Sequence, residues 1–148
     1  MTRVHDIAEY ILQRCGPMTT MKLQKLVYYS QAWSLALRGS AVFEERVQAW
    51  AHGPVVWELF QAHRGQFVVS SVQGQAHRVD VHTRAMVDRV VAAYGSWTAD
   101  QLSERTHQEL PWVQARRLPS ARRGSPEITW AAMQDYYRSQ LPLPELVS

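Results

Sequence analysis

Six histidines, a single cysteine and one pair of adjacent glutamates are the side chains of this 148-residue chain best suited to chemistry. A metal needs ligands that converge. His5, His52, His63, His77, His82 and His107 form no i, i+4 pair with a helical carboxylate and show no clustered spacing, so no metal is expected. Cys15, standing alone, excludes an intramolecular disulfide and a cysteine-based zinc site. It falls on an apolar stripe and reads as a small core residue rather than a nucleophile. Glu44 and Glu45 are neighbours at a turn, which suits solvated carboxylates better than an acid and base pair. Gly39, Gly53, Gly65, Gly74 and Gly95 stand singly as element stops, so no phosphate-cradling loop is present, and no Gly-x-Ser-x-Gly elbow occurs. With no acid, base, nucleophile or cofactor motif, the expectation is a protein that binds rather than catalyses, with no cofactor.

Binding chemistry is better represented. Six tryptophans and six tyrosines are a heavy aromatic load, and apart from Lys22 and Lys25 every basic side chain except histidine is arginine. Arginine and large aromatic rings are enriched at protein interfaces, where a rigid ring loses little rotamer entropy. Trp50, Trp57 and Trp112 are candidate partner anchors, with core packing the other reading of Trp50 and Trp112. Gly53-Pro54 reads as a fold-determining turn, and Thr106-His107 followed by Pro111 as a helix-to-helix junction that also places His107 at a candidate interface. The second basic feature is a loop with Arg116, Arg117, Arg122 and Arg123. It suits either a solvated surface or contact with phosphates, and the net charge of +3 is too small and too scattered to mark a nucleic-acid binder.

The elements that position these residues are mostly helices. Val4, Ile7, Ala8, Ile11, Leu12 and Cys15 recur at helical spacing behind Thr2 as N-cap, and Gly16-Pro17 ends the helix. Thr19 or Thr20 caps a second helix over residues 21–38, stopped by Gly39. Its second half is apolar nearly all round, which places it at the centre of the fold. Lys22, Gln24 and Lys25 fall outside its stripe. Val47, Ala49 and Ala51 alternate as a short strand, Pro54 opens a third helix, and residues 66–82 read as a β-hairpin turning at Gly74, with a disordered excursion as the alternative. Thr83 caps a fourth helix that Gly95 closes. Thr98 and Gln101 form a capping box for a fifth, and Pro111 starts a further turn. Residues 116–126 are loop-like. Ile128 and Met133 flank Thr129 as a hydrophobic staple for a last helix over residues 130–140, and Leu141-Pro142-Leu143-Pro144 cannot be helical.

The sum is mainly α: one compact domain over residues 1–140 of about six helices with a small β-hairpin, then an extended tail at 141–148. Composition agrees. Hydrophobic residues are 46% and charged residues 20%, which excludes wholesale disorder. No apolar run nears the ~18 residues of a membrane span and no signal peptide opens the chain, so a bacterial cytoplasm is the expected location.

Two stretches carry a resemblance. One is Met18-Thr19-Thr20-Met21-Lys22-Leu23-Gln24-Lys25-Leu26-Val27-Tyr28-Tyr29-Ser30-Gln31-Ala32-Trp33, continued by Ala49-Trp50-Ala51-His52-Gly53-Pro54-Val55. The other is Leu102-Ser103-Glu104-Arg105-Thr106-His107-Gln108-Glu109-Leu110-Pro111-Trp112-Val113-Gln114-Ala115-Arg116. In this order they resemble the Panacea domain of the SocA-like antitoxins, found among phage- and prophage-associated proteins. The resemblance implies an antitoxin of a toxin-antitoxin system that binds a cognate toxin encoded by an adjacent gene. Some relatives instead deliver the toxin to an ATP-dependent protease, so that mechanism is an alternative, as is a small nucleic-acid-binding regulator. At this length there is no room for the extra DNA-binding domain of many relatives, so control of its own promoter is not expected. By this reading the partner-binding candidates are Trp50, Gly53, Pro54, Trp57, His107, Pro111 and Trp112, with no membrane partner.

Overall fold

The computed structural model describes residues 2–118 and 125–141. Among them are α1 (Val4–Cys15), β1 (Met18–Thr19), α2 (Thr20–Arg38), β2 (Val47–Trp50), β3 (Gly53–Val56) and α3 (Trp57–His63). Then follow β4 (Val68–Val69), a 3₁₀ turn at Ala76–Arg78, α4 (Val81–Tyr94), α5 (Ala99–His107), α6 (Leu110–Arg116), β5 (Glu127–Ile128) and α7 (Trp130–Ser139). The chain is mainly α, with the turn after Pro111 grown into a full helix.

The second helix is central. Leu23, Leu26, Val27, Tyr28, Tyr29, Ala32 and Trp33 are all buried, and α1, α4, α5, α7 and β3 pack around them. Thr19 caps it by accepting from the Lys22 N–H, and Gly39 closes it in the left-handed region at φ 70°, where a side chain would be strained. The reciprocal Thr98–Gln101 box and the Thr129 cap form as expected.

Several buried polar side chains on α2 bond to backbone outside the helix. The Gln31 amide carbonyl accepts from the Val42 N–H at 2.7 Å, and its NH₂ donates to the Phe43 carbonyl at 2.8 Å. Ser34 donates to the Ser40 carbonyl. These bonds hold residues 40–43 against the core although they form neither helix nor strand.

Two small antiparallel sheets flank the helices: β1 with β4, and β3-β2-β5. The β-hairpin of the fold is therefore β2–β3, in the register Val47↔Val56 to Trp50↔Gly53, and not residues 66–82. Pro54 lies within a strand rather than at a helix start. Its partner Ala49 turns its N–H to the Pro126 carbonyl and its carbonyl to Arg116, away from β3. Proline thus removes no ladder bond there.

The segment expected as a hairpin is divided. Val68 and Val69 pair with Met18 and Thr19. Beyond them two carboxylates of α1 capture the backbone: Glu9 accepts from the Val72 and Gly74 N–H groups, and Asp6 from Gln75. A chain whose donors are taken by side chains cannot also form a ladder.

Smaller corrections follow the same logic. The N–H of Arg3, not Thr2, sits at the start of α1 and donates to Asp6, while the Thr2 hydroxyl donates to the Arg78 carbonyl. Asp80, not Thr83, caps α4, which starts three residues earlier, at Val81. Cys15 is exposed, because the buried stripe of α1 stops at Leu12. Residues 119–124 of the arginine loop, and 142–148 of the expected tail, lie outside the described residues.

Gln31→Leu keeps the volume and strips both backbone partners. The Val42 N–H and Phe43 carbonyl are then buried without bonds, and the expected loss is about 2–4 kcal/mol in urea unfolding followed by circular dichroism. A loss under about 0.5 kcal/mol means that water reaches these groups.

Candidate functional site

The β2–β3 hairpin lies across the first half of α2. Gln24 fastens it: its amide carbonyl accepts from the Val56 N–H at 2.9 Å, and its NH₂ donates to the Val56 carbonyl at 3.3 Å and to His63 Nε2 at 2.9 Å. Both amide groups of Gln24 and the bonded nitrogen of His63 are therefore engaged, with one lone pair of the Gln24 carbonyl left over.

At the hairpin tip Gly53 is held at φ 121°, in the glycine-favouring region. A β-carbon there would stand 2.5 Å from Lys25 Cε and 3.0 Å from Thr106 Oγ1. The absence of a side chain at 53 is what lets the Lys25 stem pass beneath the strand. Ser103 donates to the His52 carbonyl, so α5 grips the turn from its other side.

The aromatic residues assemble around this tip. Trp50 and Phe60 have ring centroids 5.0 Å apart, and Trp57 stacks on Phe60 at 5.5 Å. Trp57 is 39% exposed, more than its neighbours in the cluster. On the opposite side Trp112 donates its indole N–H to the Trp50 carbonyl at 2.8 Å and stacks on His107 at 4.1 Å. Arg116 donates to the Ala49 carbonyl.

The structure thus gathers six of the seven expected residues around one hairpin: Trp50, Gly53, Pro54, Trp57, His107 and Trp112. Pro111 is buried in the first turn of α6, where its ring fixes the helix start that aims Trp112. Of the six, Trp57 offers the most surface. Trp112 and His107 brace the back of the hairpin.

Between α2 and the hairpin runs a groove of about 260 Å³, walled by Met21, Trp50, Val55 and Phe60 and floored by Gln24, Lys25 and His63. Lys25 is 1% exposed. Its ammonium makes no hydrogen bond or ion pair among the described residues, and burial alone pulls its pKa from 10.5 down to about 8. It stays mostly protonated at neutral pH and acts there as a cation. Burial also lowers the pKa of His63 and of His107, and the Lys25 charge adds to both shifts. The groove is apolar in its walls and positive at its floor.

Lys25 and Gln24 are the site residues that helical bookkeeping missed, since both fall outside the stripe of Leu23, Leu26 and Val27. The usable signal is that Tyr28, Tyr29 and Ala32 follow Lys25 at i+3, i+4 and i+7, which sets it on the face that the apolar second half buries.

A second buried polar cluster sits further along α2. Glu109 Oε1 accepts from Tyr29 at 2.7 Å and from Tyr137 at 2.8 Å, while the Tyr28 and Tyr137 hydroxyls lie 3.0 Å apart. Burial raises the Glu109 pKa. One of its oxygens is thus held by two phenols inside the core. Among the described residues no three His, Cys, Asp or Glu side chains converge to hold a metal.

Over residues 23–113 the chain matches the family described as antitoxin SocA-like, Panacea domain. It belongs to that family. No curated protein matches the chain, and no solved structure does. The Panacea match takes in the whole β2–β3 hairpin, Trp112 at its back and every groove-lining residue named above except Met21.

Holding Lys25 charged in this Panacea domain lowers stability at neutral pH. The unfolded chain keeps the proton up to 10.5 and the folded chain releases it near 8. The penalty is therefore fully present below about pH 8 and is relieved as pH rises towards 10.5. Lys25→Met is expected to gain about 3 kcal/mol in urea unfolding at neutral pH, with the gain shrinking at pH about 10. Equal stability of variant and wild type at neutral pH would show that water or a counter-ion already compensates the charge.

Proposed function

We propose that this Panacea-family chain neutralises a cognate toxin, encoded by an adjacent gene, through direct binding on the face built by the β2–β3 hairpin, and that it is a binding module rather than an enzyme. The observation that carries this reading is the groove with half-open aromatic walls inside the stretch that matches an antitoxin family. Trp57 and Phe60 present a stacked aromatic pair at its rim, the kind of rigid apolar anchor around which binding energy concentrates. Their backing is stiff. The hairpin is fastened to α2 by Gln24, to α5 by Ser103 and to α6 by Trp112 and Arg116. A surface ordered before binding loses little conformational entropy when it docks.

The other readings have less support. A catalytic role needs a poised acid, base or nucleophile. The exposed thiol of Cys15 has its pKa raised, chiefly by burial of part of its surface, and Glu109 is held by tyrosines. A nucleic-acid surface would draw on Arg116, which already donates one of its N–H groups to the Ala49 carbonyl and so holds the hairpin. No helix among the described residues is long and apolar enough to cross a membrane, in keeping with the proposed cytoplasmic encounter with a toxin.

The test is co-expression. The adjacent gene product should arrest growth alone, and this chain should restore growth and co-purify with it. Trp57→Ala is expected to weaken the complex by roughly 2 kcal/mol, about 30-fold in affinity, and a circular-dichroism melt of the variant separates lost binding from the lost packing on Phe60. A harmless neighbour, or toxicity that persists with this chain abundant and folded, defeats the antitoxin reading. Rescue that requires an active ATP-dependent protease would replace occlusion with delivery of the toxin for degradation.

A further inference from the structure

The buried cation of the groove has no counter-charge among the described residues. Lys25 is 1% exposed, its stem is confined between α2 and Gly53, and its three N–H donors have no acceptor among the described residues. Gln24 beside it is directed elsewhere. Gln24 spends its carbonyl on the Val56 N–H and its NH₂ on Val56 and His63. The walls beside it are the apolar faces of Met21, Trp50, Val55 and Phe60. An uncompensated charge in such surroundings is costly to keep, and an anion entering from outside would find strong, weakly screened attraction.

The size of the groove narrows the anion. A volume of about 260 Å³ falls below the ~300–1,000 Å³ of ordinary small-molecule pockets and accepts one or two side chains of a protein. Aromatic walls beside a cation suit an apolar residue next to an acid.

We propose that this groove receives an acidic side chain of the toxin, a glutamate or aspartate flanked by an apolar residue, whose carboxylate pairs with the Lys25 ammonium. The assignment rests on the antitoxin reading and adds to it the chemistry of the partner's docking segment. It also gives the lowered stability described above a use: the charge has no partner among the described residues, so that pairing is gained on binding. Selectivity follows, since a neutral or basic residue at the same place would leave the cation unpaired or repelled.

The experiment uses the full chain labelled with ¹³C-lysine, which gives resonances from Lys22 and Lys25 only. Lys22 serves as an internal control, because its ammonium is bonded to the Gly95 carbonyl. The probes are acetyl-Leu-Glu-Leu-amide and the matching glutamine peptide. The glutamate peptide should shift the Lys25 signals while leaving Lys22 in place, and should bind about tenfold or more tightly than the glutamine peptide. Lys25→Met should erase that preference. The proposal is overturned by an unmoved Lys25 at about 10 mM peptide, by equal affinities, or by a preference that survives Lys25→Met. The cognate pair supplies a second arm. If the wild type neutralises the toxin and folded Lys25→Met binds it at least tenfold more weakly, the assignment gains support. If Lys25→Met neutralises as well as wild type, the groove assignment fails and the antitoxin reading stands. If the wild type itself does not neutralise, the antitoxin reading fails, and the peptide titration alone decides whether the groove takes a carboxylate.

Discussion

The fold depends on a helix that is buried on nearly every side and is nevertheless rich in hydrogen-bonding side chains. Between Leu23 and Ala36 every residue of α2 is buried, and Gln24, Lys25, Ser30, Gln31 and Ser34 interrupt its apolar residues. A buried polar group must find a partner or lower the stability of the fold. The partners are largely backbone groups of the segments least able to hold themselves: Gln24 holds β3, while Gln31 and Ser34 hold residues 40–43. Tyr28 and Tyr29 reach α6 and α7 through Tyr137 and Glu109. The irregular parts of the molecule are thus ordered from the inside, by the helix they cover. The hairpin is a clear case, because its own ladder is only four residue pairs long.

That arrangement explains why the groove has a fixed shape. Its floor is α2 and one wall is the hairpin, and Gln24 joins the two with two bonds to Val56 and adds a third to His63 of α3. Glycine at 53 sets how closely the wall approaches the floor. Trp112, stacked on His107, props the hairpin from behind. The resemblance-bearing residues of the second motif therefore act mostly by supporting the first. Family membership and geometry meet in one place: the two stretches, distant in sequence, converge on a single hairpin tip.

Much of this was legible in the sequence, and the failures have physical causes. The Thr19, Thr98 and Thr129 caps were readable because capping is local, settled by residues within one turn. The apolar circumference of α2 announced its central place. The hairpin was misplaced because β-branched composition at residues 67–72 says that a strand is favourable but not which strand it meets. Val68 and Val69 found Met18 and Thr19, some fifty residues away. Pro54 reads as a helix start until the direction of the Ala49 backbone groups is known, and that depends on β5 and Arg116. In the candidate site the aromatic anchors stood out by type. Lys25 did not, because lysine is ordinarily a surface residue and only the buried surroundings of α2 make it otherwise.

The segment between β4 and α4 has a consequence of its own. Proteolytic enzymes take chain that can be drawn out as an extended strand, so exposed connections with little regular structure are their usual entry points. Residues 71–79 hold one 3₁₀ turn and otherwise neither helix nor strand, with Gln73 at φ 59°. Yet Glu9 and Asp6 hold three of the segment's N–H groups from α1, and Gly74 lies so close to the His5 backbone that no β-carbon fits between them. Val72, Ala76 and Val79 are buried beneath it. Drawing this stretch out requires lifting it from α1, not fraying a loose end. Cleavage within this segment is therefore governed by a cooperative opening of the α1 docking surface rather than by local fraying.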